Sequence, residues 1–519
     1  MGWVRARKVT GMGRFDAAII GGGIEGLVAA ITLARAGFHV IVVEKQSVPG
    51  GRASTREFHP GFRASPYTDE LPAIPSRLYR SLNLARHGAI LAPSPASVLI
   101  SESGTSLFFA DAARSARTVP GAARSGFLAF REEVEASRRA VEERVFSLEA
   151  PLPRRWYSRS QGARSAPWPI ESWARASLRD VLRARVPDPL LSLHLAADAV
   201  SGRAVSPFLA GTALHALAPG VGLSGCTAGG LGRLGRVLVD VATQAGVVIR
   251  CDAEVTEIGV KRGRATGLVV GGEDIDARAF LSTLDVKRTM LGLVAPGELS
   301  SSVVKRVGYF RMAGQSARVL FALDAPPNVA LWRETPDAAS GPIHVLSSMK
   351  ALTAAHELWR AGRLGDELPV TLRLPAFADP LLAPIGKAVM TATISAVPSR
   401  MSGGWEESRR EQLGTIALAA AERAIPGVTS LVLAQHVIVG ADVEEALGAT
   451  EGDLDGGEIA ADQVLDSRPL RGAEWCDGRT PIASLFLAGS SPASPFLLGA
   501  SGERAARAII ADLKTGTAR

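Results

Sequence analysis

The first fifty residues of the chain alternate between apolar runs and glycine-containing turns. An apolar run from Phe15 to Ile20 predicts a strand, and the apolar positions that follow recur with helical period until Gly37. A second apolar run, Phe38 to Val43, predicts another strand. Between the first strand and the helix stand three glycines in GxGxxG spacing: Gly21, Gly23 and Gly26. This order of elements is typical of one half of a dinucleotide-binding domain.

An acidic residue closes the second strand. Glu44 stands eighteen positions after Gly26, where a carboxylate can accept both hydroxyls of an adenosine ribose while the pyrophosphate lies against amides at the helix N-terminus. Because strand, helix, second strand and acid occur together, we expect a dinucleotide to bind here. The spacing alone does not separate FAD from NAD. The expected contacts are Gly21, Gly23, Ile24, Glu25, Gly26, Glu44 and Lys45.

The segment VPGGRAS follows this acid and contains Gly50, Gly51 and Arg52. It resembles the extended fingerprint of FAD enzymes of the amine oxidase and phytoene desaturase superfamily, in which a short loop after the glutamate leads to GGR. The resemblance implies that the glycines let the backbone pass close to the cofactor and that the arginine lies near its phosphates and flavin end. FAD is therefore the favoured nucleotide, with Gly51 and Arg52 among its contacts.

A second strand, turn and helix pattern lies near the far end of the chain. Ser484 to Ala488 predicts a short strand, and the run GASG leads into the amphipathic stretch ERAARAIIADL. This pattern resembles the closing FAD motif of the same superfamily, whose helix N-terminus faces the flavin pyrimidine ring. A partly positive helix end there favours the negative charge of a reduced flavin. The resemblance adds four contacts: Gly489, Ser490, Gly499 and Ala500.

The middle of the chain predicts a helix from Gly229 to Thr243, followed by short strands. The strand-like runs are Val247 to Arg250, Glu254 to Val260, Ala265 to Val270 and Ala279 to Ser282. This block resembles one in phytoene desaturase relatives. The resemblance implies that Val255 meets adenine through its backbone and that Thr283 returns to the nucleotide.

Three glycines inside this block repeat the GxGxxG spacing: Gly230, Gly232 and Gly235. With Glu254 nineteen positions after the last of them, they could be taken for a second site, for NADPH. The preceding stretch, ALHALAPGVGLSGCTA, contains Pro219 and three glycines and does not predict a clean strand. We therefore interpret the glycines as a helix entry, and we expect oxygen or a quinone as electron acceptor rather than NAD(P).

Together, these resemblances imply an α/β fold. It would consist of a Rossmann-like FAD-binding domain assembled from discontinuous segments and an inserted α+β substrate domain. Of the intervening regions, one is rich in helical patches and the other mixes strand-like runs with a helix. The expected FAD-binding parts are 15–75, 225–295 and 451–519. The expected substrate domain has a helical part, 76–224, and a mixed-sheet part, 296–450.

Enzymes of the family that this chain resembles transfer hydride from an unactivated or allylic C–H bond to flavin N5 and form a C=C bond in a long apolar substrate. The resemblance therefore implies a desaturase or dehydrogenase acting on CH–CH bonds of a small apolar substrate, with isoprenoid-like molecules as candidates. Alignment over the flavin supplies most of the catalysis, so few catalytic side chains are expected. If a base takes the second proton, the candidates nearest in sequence are Arg63, Asp69 and Glu70, each of which also fits a surface or salt-bridge role.

Two segments depart from carotenoid desaturases, so a carotenoid is not implied as the substrate. The chain reads PGFRASPYTDEL after GGR, without the usual aspartate, glycine and proline cluster, and GSSPASPFLLGASG at the closing motif, without PGGG. A flavin amine oxidase is the second reading, with Trp475 and Cys476 as candidates for the aromatic pair or covalent-flavin cysteine of that class. A flavin-dependent isomerase, a saturase and a non-catalytic FAD-stabilised scaffold also remain open.

Positive charge is concentrated in one segment of the chain. The net charge is +7, and residues 111–185 hold fifteen Arg, nine Asp or Glu and several aromatic residues. A solvated helical cap with aromatic core residues is the first interpretation, and contact with an anionic membrane surface is the second. Nucleic-acid binding is not expected, because the arginines are diluted by acids and match no recognition module.

Targeting and metal signals are weak. No apolar run reaches the ~18 residues of a membrane-spanning helix, and the first fourteen residues contain no apolar stretch typical of a secretory signal. We expect a cytoplasmic protein, peripheral at the membrane under the second interpretation of the arginines. Three widely spaced cysteines and eight scattered histidines form no ligand pair, so no metal is expected, and His215 is interpreted as a core histidine.

Overall fold

The computed structural model describes residues 14–71, 74–89, 91–93, 96–109, 111–146, 171–217, 223–226, 229–329, 332, 335–460, 462–463, 470, 477–489 and 497–516. Its strands in chain order are β1 (Phe15–Ile20), β2 (Val40–Val43), β3 (Arg56–His59), β4 (Phe62–Ala64), β5 (Leu91–Pro93), β6 (Ala96–Ser101), β7 (Gly104–Phe109), β8 (Leu223–Cys226), β9 (Val248–Arg250), β10 (Val255–Lys261), β11 (Arg264–Val270), β12 (Glu273–Ile275), β13 (Ala277–Ser282), β14 (Ser316–Leu323), β15 (Ile343–Val345), β16 (Val370–Arg373), β17 (Ala388–Ser395), β18 (Val432–Ile438) and β19 (Leu485–Leu487). Its α-helices are α1 (Ile24–Arg35), α2 (Ser76–Ser81), α3 (Ala112–Thr118), α4 (Gly121–Phe146), α5 (Glu171–Arg175), α6 (Leu178–Arg185), α7 (Pro189–Val200), α8 (Gly232–Gln244), α9 (Ser301–Tyr309), α10 (Met349–Arg360), α11 (Glu407–Ala424), α12 (Gly440–Leu447) and α13 (Ala500–Thr515).

A parallel five-stranded sheet in the order β19-β13-β1-β2-β9 forms the middle of a three-layer unit. Its strands are almost continuous apolar runs because both faces of the sheet are covered. Ala17 and Ile19 of β1 pack with helices α1, α8 and α13 on one face. Ala18 and Ile20 pack with the antiparallel sheet β10-β11-β12 on the other. This alternation produces a Rossmann-like unit.

The Rossmann-like unit is assembled from separated parts of the chain. Strands β1 and β2 lie within residues 15–43, β9 to β13 within residues 248–282, and β19 is 485–487. The predicted fold class, including the discontinuous assembly, is confirmed. The numbered domain boundaries stay predictions.

A seven-stranded mixed sheet, β18-β14-β17-β16-β15-β6-β7, forms the inserted region. Neighbouring strands are antiparallel except β6 and β15, which are parallel. Helix α11 packs on this sheet, and α3 to α7 form a cap beside β6 and β7. Helices and strands are thus segregated, as in an α+β domain.

The second GxGxxG run opens a helix, in agreement with its interpretation as a helix entry. Helix α8 begins at Gly232, and the N–H groups of Gly229 and Gly230 donate to Asp379 at 2.6 and 2.7 Å. The expectation that no strand precedes it is wrong, because Leu223–Cys226 forms β8. That strand pairs antiparallel with β5, outside the parallel sheet, so it builds no second dinucleotide-binding unit.

The arginine-rich segment 111–185 packs as a helical cap where the structure describes it. Phe127, Phe130 and Trp173 are buried against the cap helices, and Arg185 donates to both oxygens of Glu133 at 2.6 and 2.8 Å. Among the described helices, none has the length and apolar character that crossing a membrane requires. Contact of this segment with a membrane surface stays a prediction. Three further aromatic residues lie outside the described residues: Trp156, Tyr157 and Trp168.

Gly502→Ala tests the packing of α13 against α1. A Cβ at Gly502 would overlap the carbonyl oxygen of Glu25 in α1, so one of the helices must shift. We expect the free energy of unfolding, measured by chemical denaturation, to fall by about 1–3 kcal/mol, the usual cost of overpacking. The control is Gly308→Ala in α9, where a Cβ meets no atom within 4 Å. A loss of the same size in the control would contradict this account.

Candidate functional site

A cavity opens at the carboxyl ends of β1, β2 and β13, the edge at which parallel α/β sheets bind ligands. We call it the fingerprint cavity. Most of the predicted cofactor contacts line it: Gly21, Gly23, Ile24, Glu25, Glu44, Lys45, Gly51, Arg52, Val255, Thr283 and Gly489. Three others are described but form no part of this lining: Gly26, Gly499 and Ala500. Three named positions lie outside the described residues: Trp475, Cys476 and Ser490.

The fingerprint turn requires glycine for two different reasons. Gly21 has φ +95°, and a Cβ there would lie 2.5 Å from Thr283 Oγ1. Gly23 is the N-cap of α1 and provides no side-chain cap. A Cβ at Gly23 would meet no protein atom within 4 Å, so it would enter the cavity. An uncapped helix end with open space in front of it fits a diphosphate, which the amides and the helix dipole stabilise.

Glu44 follows β2 and is buried against this turn. Its carboxylate accepts a hydrogen bond from the N–H of Gly22 at 2.6 Å and another from Gln46 at 2.8 Å. Burial raises the pKa of Glu44 above its usual value, although the two amide donors lower it. Glu44 therefore fixes the turn while it lines the same cavity as Val255. Lys45 lies beside it and is paired with Glu254 at 3.4 Å.

The C-terminal motif completes the cavity from the other end of the chain. The N–H of Gly489 donates to Ser501 Oγ at 2.7 Å, which joins the turn after β19 to the first turn of α13. Glu25 of α1 accepts hydrogen bonds from the N–H groups of Gly499 and Gly502 at 2.7 and 2.8 Å. The two ends of the chain therefore form one site.

A second cavity adjoins the first, and the two share Arg52, Asp453 and Leu454 in their walls. We call it the polar chamber. Its charged or titratable lining consists of Arg52, Tyr67, Asp69, Glu70, Asp198, Arg203, Arg318, His344, Arg373, Asp453 and Asp455. This lining differs from the apolar channel that suits an isoprenoid-like substrate, because unmatched polar groups are costly to desolvate.

Arg318 and Asp69 form a deeply buried ion pair in the chamber wall. The guanidinium donates to the two carboxylate oxygens at 2.8 and 2.9 Å, and Thr391 donates to the same carboxylate at 2.9 Å. Burial raises the pKa of Asp69, but Arg318 more than offsets this effect, so the pKa lies below its usual value. Asp69 is therefore held in its ionised form.

The chamber wall contains four pairs, each of a carboxylate with an arginine or a histidine. In each pair the carboxylate side chain is more exposed than its partner. The exposed fractions of the side chains are 5% for Arg318 and 11% for Asp69, 7% for Arg373 and 38% for Glu70, 19% for Arg203 and 23% for Asp455, and 3% for His344 and 27% for Asp198. The pairs differ in geometry, because Arg203 donates to both oxygens of Asp455 whereas His344 Nε2 lies 3.4 Å from Asp198. The carboxylate is therefore the more accessible partner in each pair, by a narrow margin for Asp455 and a wide one for Glu70.

Asp453 lies where the two cavities meet. Its carboxylate accepts hydrogen bonds from the N–H groups of Asp455, Gly456 and Gly457 at 2.8, 3.1 and 3.0 Å. Burial and the neighbouring Asp455 raise the pKa of Asp453 to about 7. A group that titrates near neutral pH therefore borders both cavities.

The three base candidates separate in the structure. Asp69 and Glu70 line the polar chamber, whereas Arg63 is exposed on β4 and forms no part of the described lining of either cavity. His215 is buried, and burial lowers its pKa to about 3. This environment agrees with a core histidine.

Sequence reasoning missed most of the chamber wall. Arg318 stands inside the mostly apolar strand β14 and Arg373 ends β16, which is a signal because arginine is rarely buried without a partner. Asp198 and His344 carry no comparable local signal, since single polar residues in a mostly apolar helix or strand are common. Only the fold brings them together.

Comparisons with known proteins agree with this architecture. The family described as an NAD(P)-binding Rossmann-like domain matches residues 19–68. The chain is 27% identical over 550 aligned residues to pyridine nucleotide-disulfide oxidoreductase domain-containing protein 2 of Rattus norvegicus, covering 96% of this chain and 94% of that protein. It is 26% identical over 416 residues to phytoene dehydrogenase of Streptomyces griseus, covering 71% and 70%. Together, these similarities support a relationship to the FAD-dependent oxidoreductase superfamily.

A solved structure supports the same fold for this chain. Cyclohexylamine oxidase from Brevibacterium oxydans matches with a TM-score of 0.57 at 15% identity, over 97% of this chain and 100% of that one. The resemblance inferred from the GGR and closing motifs is confirmed at the level of the superfamily. The oxidoreductase class and the nucleotide-binding Rossmann fold follow from it, whereas a substrate does not.

Asp69→Asn removes the charge that compensates Arg318 in this oxidoreductase. An unpaired buried guanidinium is costly, so we expect the free energy of unfolding at neutral pH to fall by about 3–5 kcal/mol in chemical denaturation. Replacing both partners, as in Asp69→Leu with Arg318→Met, should recover most of this loss. Asp324→Asn is the control, because its pair with Lys387 is exposed and should contribute no more than about 1 kcal/mol. Similar losses at both sites would rule out a special role of burial.

Proposed function

We propose that the protein is an FAD-dependent dehydrogenase that takes hydride from a C–H bond of a substrate in the polar chamber. The observation that carries the proposal is the wall common to both cavities, formed by Arg52, Asp453 and Leu454. Hydride transfer requires the reacting carbon to contact the flavin. Adjoining cavities meet this requirement if the flavin ring lies at the common wall.

FAD fits the residues of the fingerprint cavity. Glu44 and the backbone of Val255 would hold the adenosine, the N-terminal amides of α1 the diphosphate, and Arg52 the end that adjoins the chamber. When bound, the flavin supplies the hydride acceptor. The protein's contribution is position and charge.

Glu70 is our candidate for the base that takes the second proton. It is the most exposed carboxylate of the four pairs, and Arg373 holds it through Oε1. The oxygens of Asp69, by contrast, are both bonded by Arg318, and one also accepts from Thr391. Glu70 Oε2 would accept the proton while Arg373 keeps the carboxylate in place.

Oxidation of a CH–CH bond is the first choice for the reaction, supported by the similarity to a phytoene dehydrogenase. The expected apolar, isoprenoid-like substrate fits the chamber less well than a molecule with hydrogen-bond donors, because carboxylates front the wall. For the electron acceptor, we propose oxygen or a quinone. The second GxGxxG run supports this, because it begins a helix and not a nicotinamide-binding unit.

Amine oxidation is the second candidate. The carboxylate-fronted wall would attract a protonated amine, and the chain shares its fold with cyclohexylamine oxidase. An isomerase or a saturase would use the same cavities with a different net transfer of electrons. A scaffold would transfer none. Substrate-dependent reduction of the flavin separates these alternatives.

FAD binding is tested by reconstitution and fluorescence titration. Gly21→Ala places a Cβ 2.5 Å from Thr283 Oγ1, so we expect the FAD dissociation constant to rise about tenfold or more, which is about 1.4 kcal/mol. Gly37→Ala is the matched control, because Gly37 also has a positive φ of +90° but a Cβ there meets nothing within 4 Å. It should leave FAD affinity unchanged. Wild-type protein that stays colourless after reconstitution would refute the proposed function.

An anaerobic substrate screen at the flavin absorption bands tests the chemistry. We expect bleaching by compounds with hydrogen-bond donors and none by polyenes. Loss of a general base typically costs about 10²–10⁴ in rate, so Glu70→Gln should slow bleaching at least about 100-fold, with Asp324→Asn as the control.

Ammonia and peroxide released with oxygen would favour the amine candidate. Bleaching by polyenes alone would contradict the chamber as substrate site, and FAD-loaded protein that no compound bleaches would favour a scaffold.

A further inference from the structure

Glu25 lies inside the fingerprint, yet its carboxylate is bonded to the opposite end of the chain. Oε1 accepts a hydrogen bond from the N–H of Gly499 at 2.7 Å, and Oε2 accepts one from Gly502 at 2.8 Å. Both amides belong to the N-terminus of α13, whose N-cap residue is a glycine without a side-chain cap. A carboxylate of α1 therefore caps α13.

This cap changes the electrostatics of the cavity wall. A helix N-terminus corresponds to roughly +0.5 elementary charge, which by itself would favour added negative charge in the cavity. Glu25 brings a full negative charge to the same amides and also lines the fingerprint cavity. Taken by themselves, the helix end and the ionised Glu25 sum to a negative charge.

The residues that line the cavity indicate on which of its two ends this charge acts. Under the proposed function, the flavin ring lies where the fingerprint cavity adjoins the polar chamber. Arg52 marks that end, because it lines both cavities. Glu25 and Arg52 interact electrostatically, whereas Glu44 marks the adenosine end. Glu25 therefore acts on the end that would carry the ring.

We propose that Glu25 lowers the reduction potential of the flavin by opposing the negative charge that reduction adds. The inference rests on the proposed function, since it requires FAD in the fingerprint cavity. A lower potential makes electron transfer from the reduced flavin to its acceptor more favourable and hydride uptake less favourable. Glu25 is thus assigned the role of tuning the cofactor, not that of a base.

The contacts of Glu25 support a charged side chain in mildly alkaline buffer. Burial raises its pKa above the usual value, whereas the amides of Gly502 and Gly499, the Ser501 hydroxyl and Arg52 lower it. Hydrogen bonds donated to a carboxylate favour its ionised form. Potentials should therefore be measured in such a buffer.

The test compares midpoint potentials of FAD-loaded wild-type protein, Glu25→Gln and Glu503→Gln by equilibration with reference dyes during slow anaerobic reduction. Glu503 is the matched control: it is also an acid in the first turn of α13, paired with Arg77 and Arg507, but forms no part of the described cavity lining. We expect Glu25→Gln to favour the reduced form about tenfold, which is a rise of about 30 mV for a two-electron couple. Glu503→Gln should leave the potential unchanged.

A purely structural cap would lower the melting temperature without moving the potential. A shift in Glu25→Gln no larger than that in Glu503→Gln would therefore overturn the inference. Glu25→Ser is the second variant, because its small side chain lets water bond both amides, and it should shift the potential in the same direction. If both Glu25 variants lose FAD while the control keeps it, the carboxylate holds the cofactor site together, which also overturns the inference. Wild-type protein that binds no FAD would instead refute the proposed function.

Discussion

Two helices from opposite ends of the chain, α1 and α13, approach backbone to backbone, and the rest of the site depends on that approach. Gly502 of α13 leaves no room for a Cβ against the carbonyl oxygen of Glu25 in α1, and Gly26 of α1 leaves none against the carbonyl oxygen of Gly21 in the fingerprint turn. Because α1 carries the fingerprint turn and α13 follows the closing turn, their separation fixes the width of the fingerprint cavity. A side chain at Gly502 would force one of the two helices to shift, and with it the turn that the helix carries.

The polar chamber follows a different physical logic from the apolar cores. Buried ion pairs are weak evidence for stability, because desolvation of the charges can exceed their attraction. Of the four pairs in the chamber wall, Arg318 and Asp69 are the most deeply buried, so the proposed recognition of a ligand accounts for their placement better than stability does. Arg318 contributes to the lowered pKa of Asp69 and so helps to keep this carboxylate ionised.

The nucleotide half of the molecule could be predicted because its signals are local. Strand β1, helix α1 and strand β2 follow one another directly, and their apolar periodicity and glycine spacing suffice to place them. The chamber could not be predicted in this way, because Arg318 and Asp69 are 249 positions apart. Strand β8 was missed for a similar reason, since its pairing partner is β5, far earlier in the chain. Likewise, Glu25 was recognised as part of the fingerprint, but its partner amide at Gly499 is 474 positions away.

Strand β19 and helix α13 follow β13, against which both lie, only after the whole inserted sheet, whose last strand is β18. Until these distant segments meet, the parallel sheet lacks its edge strand β19 and the cavity lacks the wall that contains Gly489. Contacts of such high sequence separation form late and slowly. A cofactor can therefore be enclosed only after these long-range contacts have formed. A chain without β19 and α13 would lack the partner amides of Glu25 and the cavity wall at Gly489, so we expect it not to retain a cofactor.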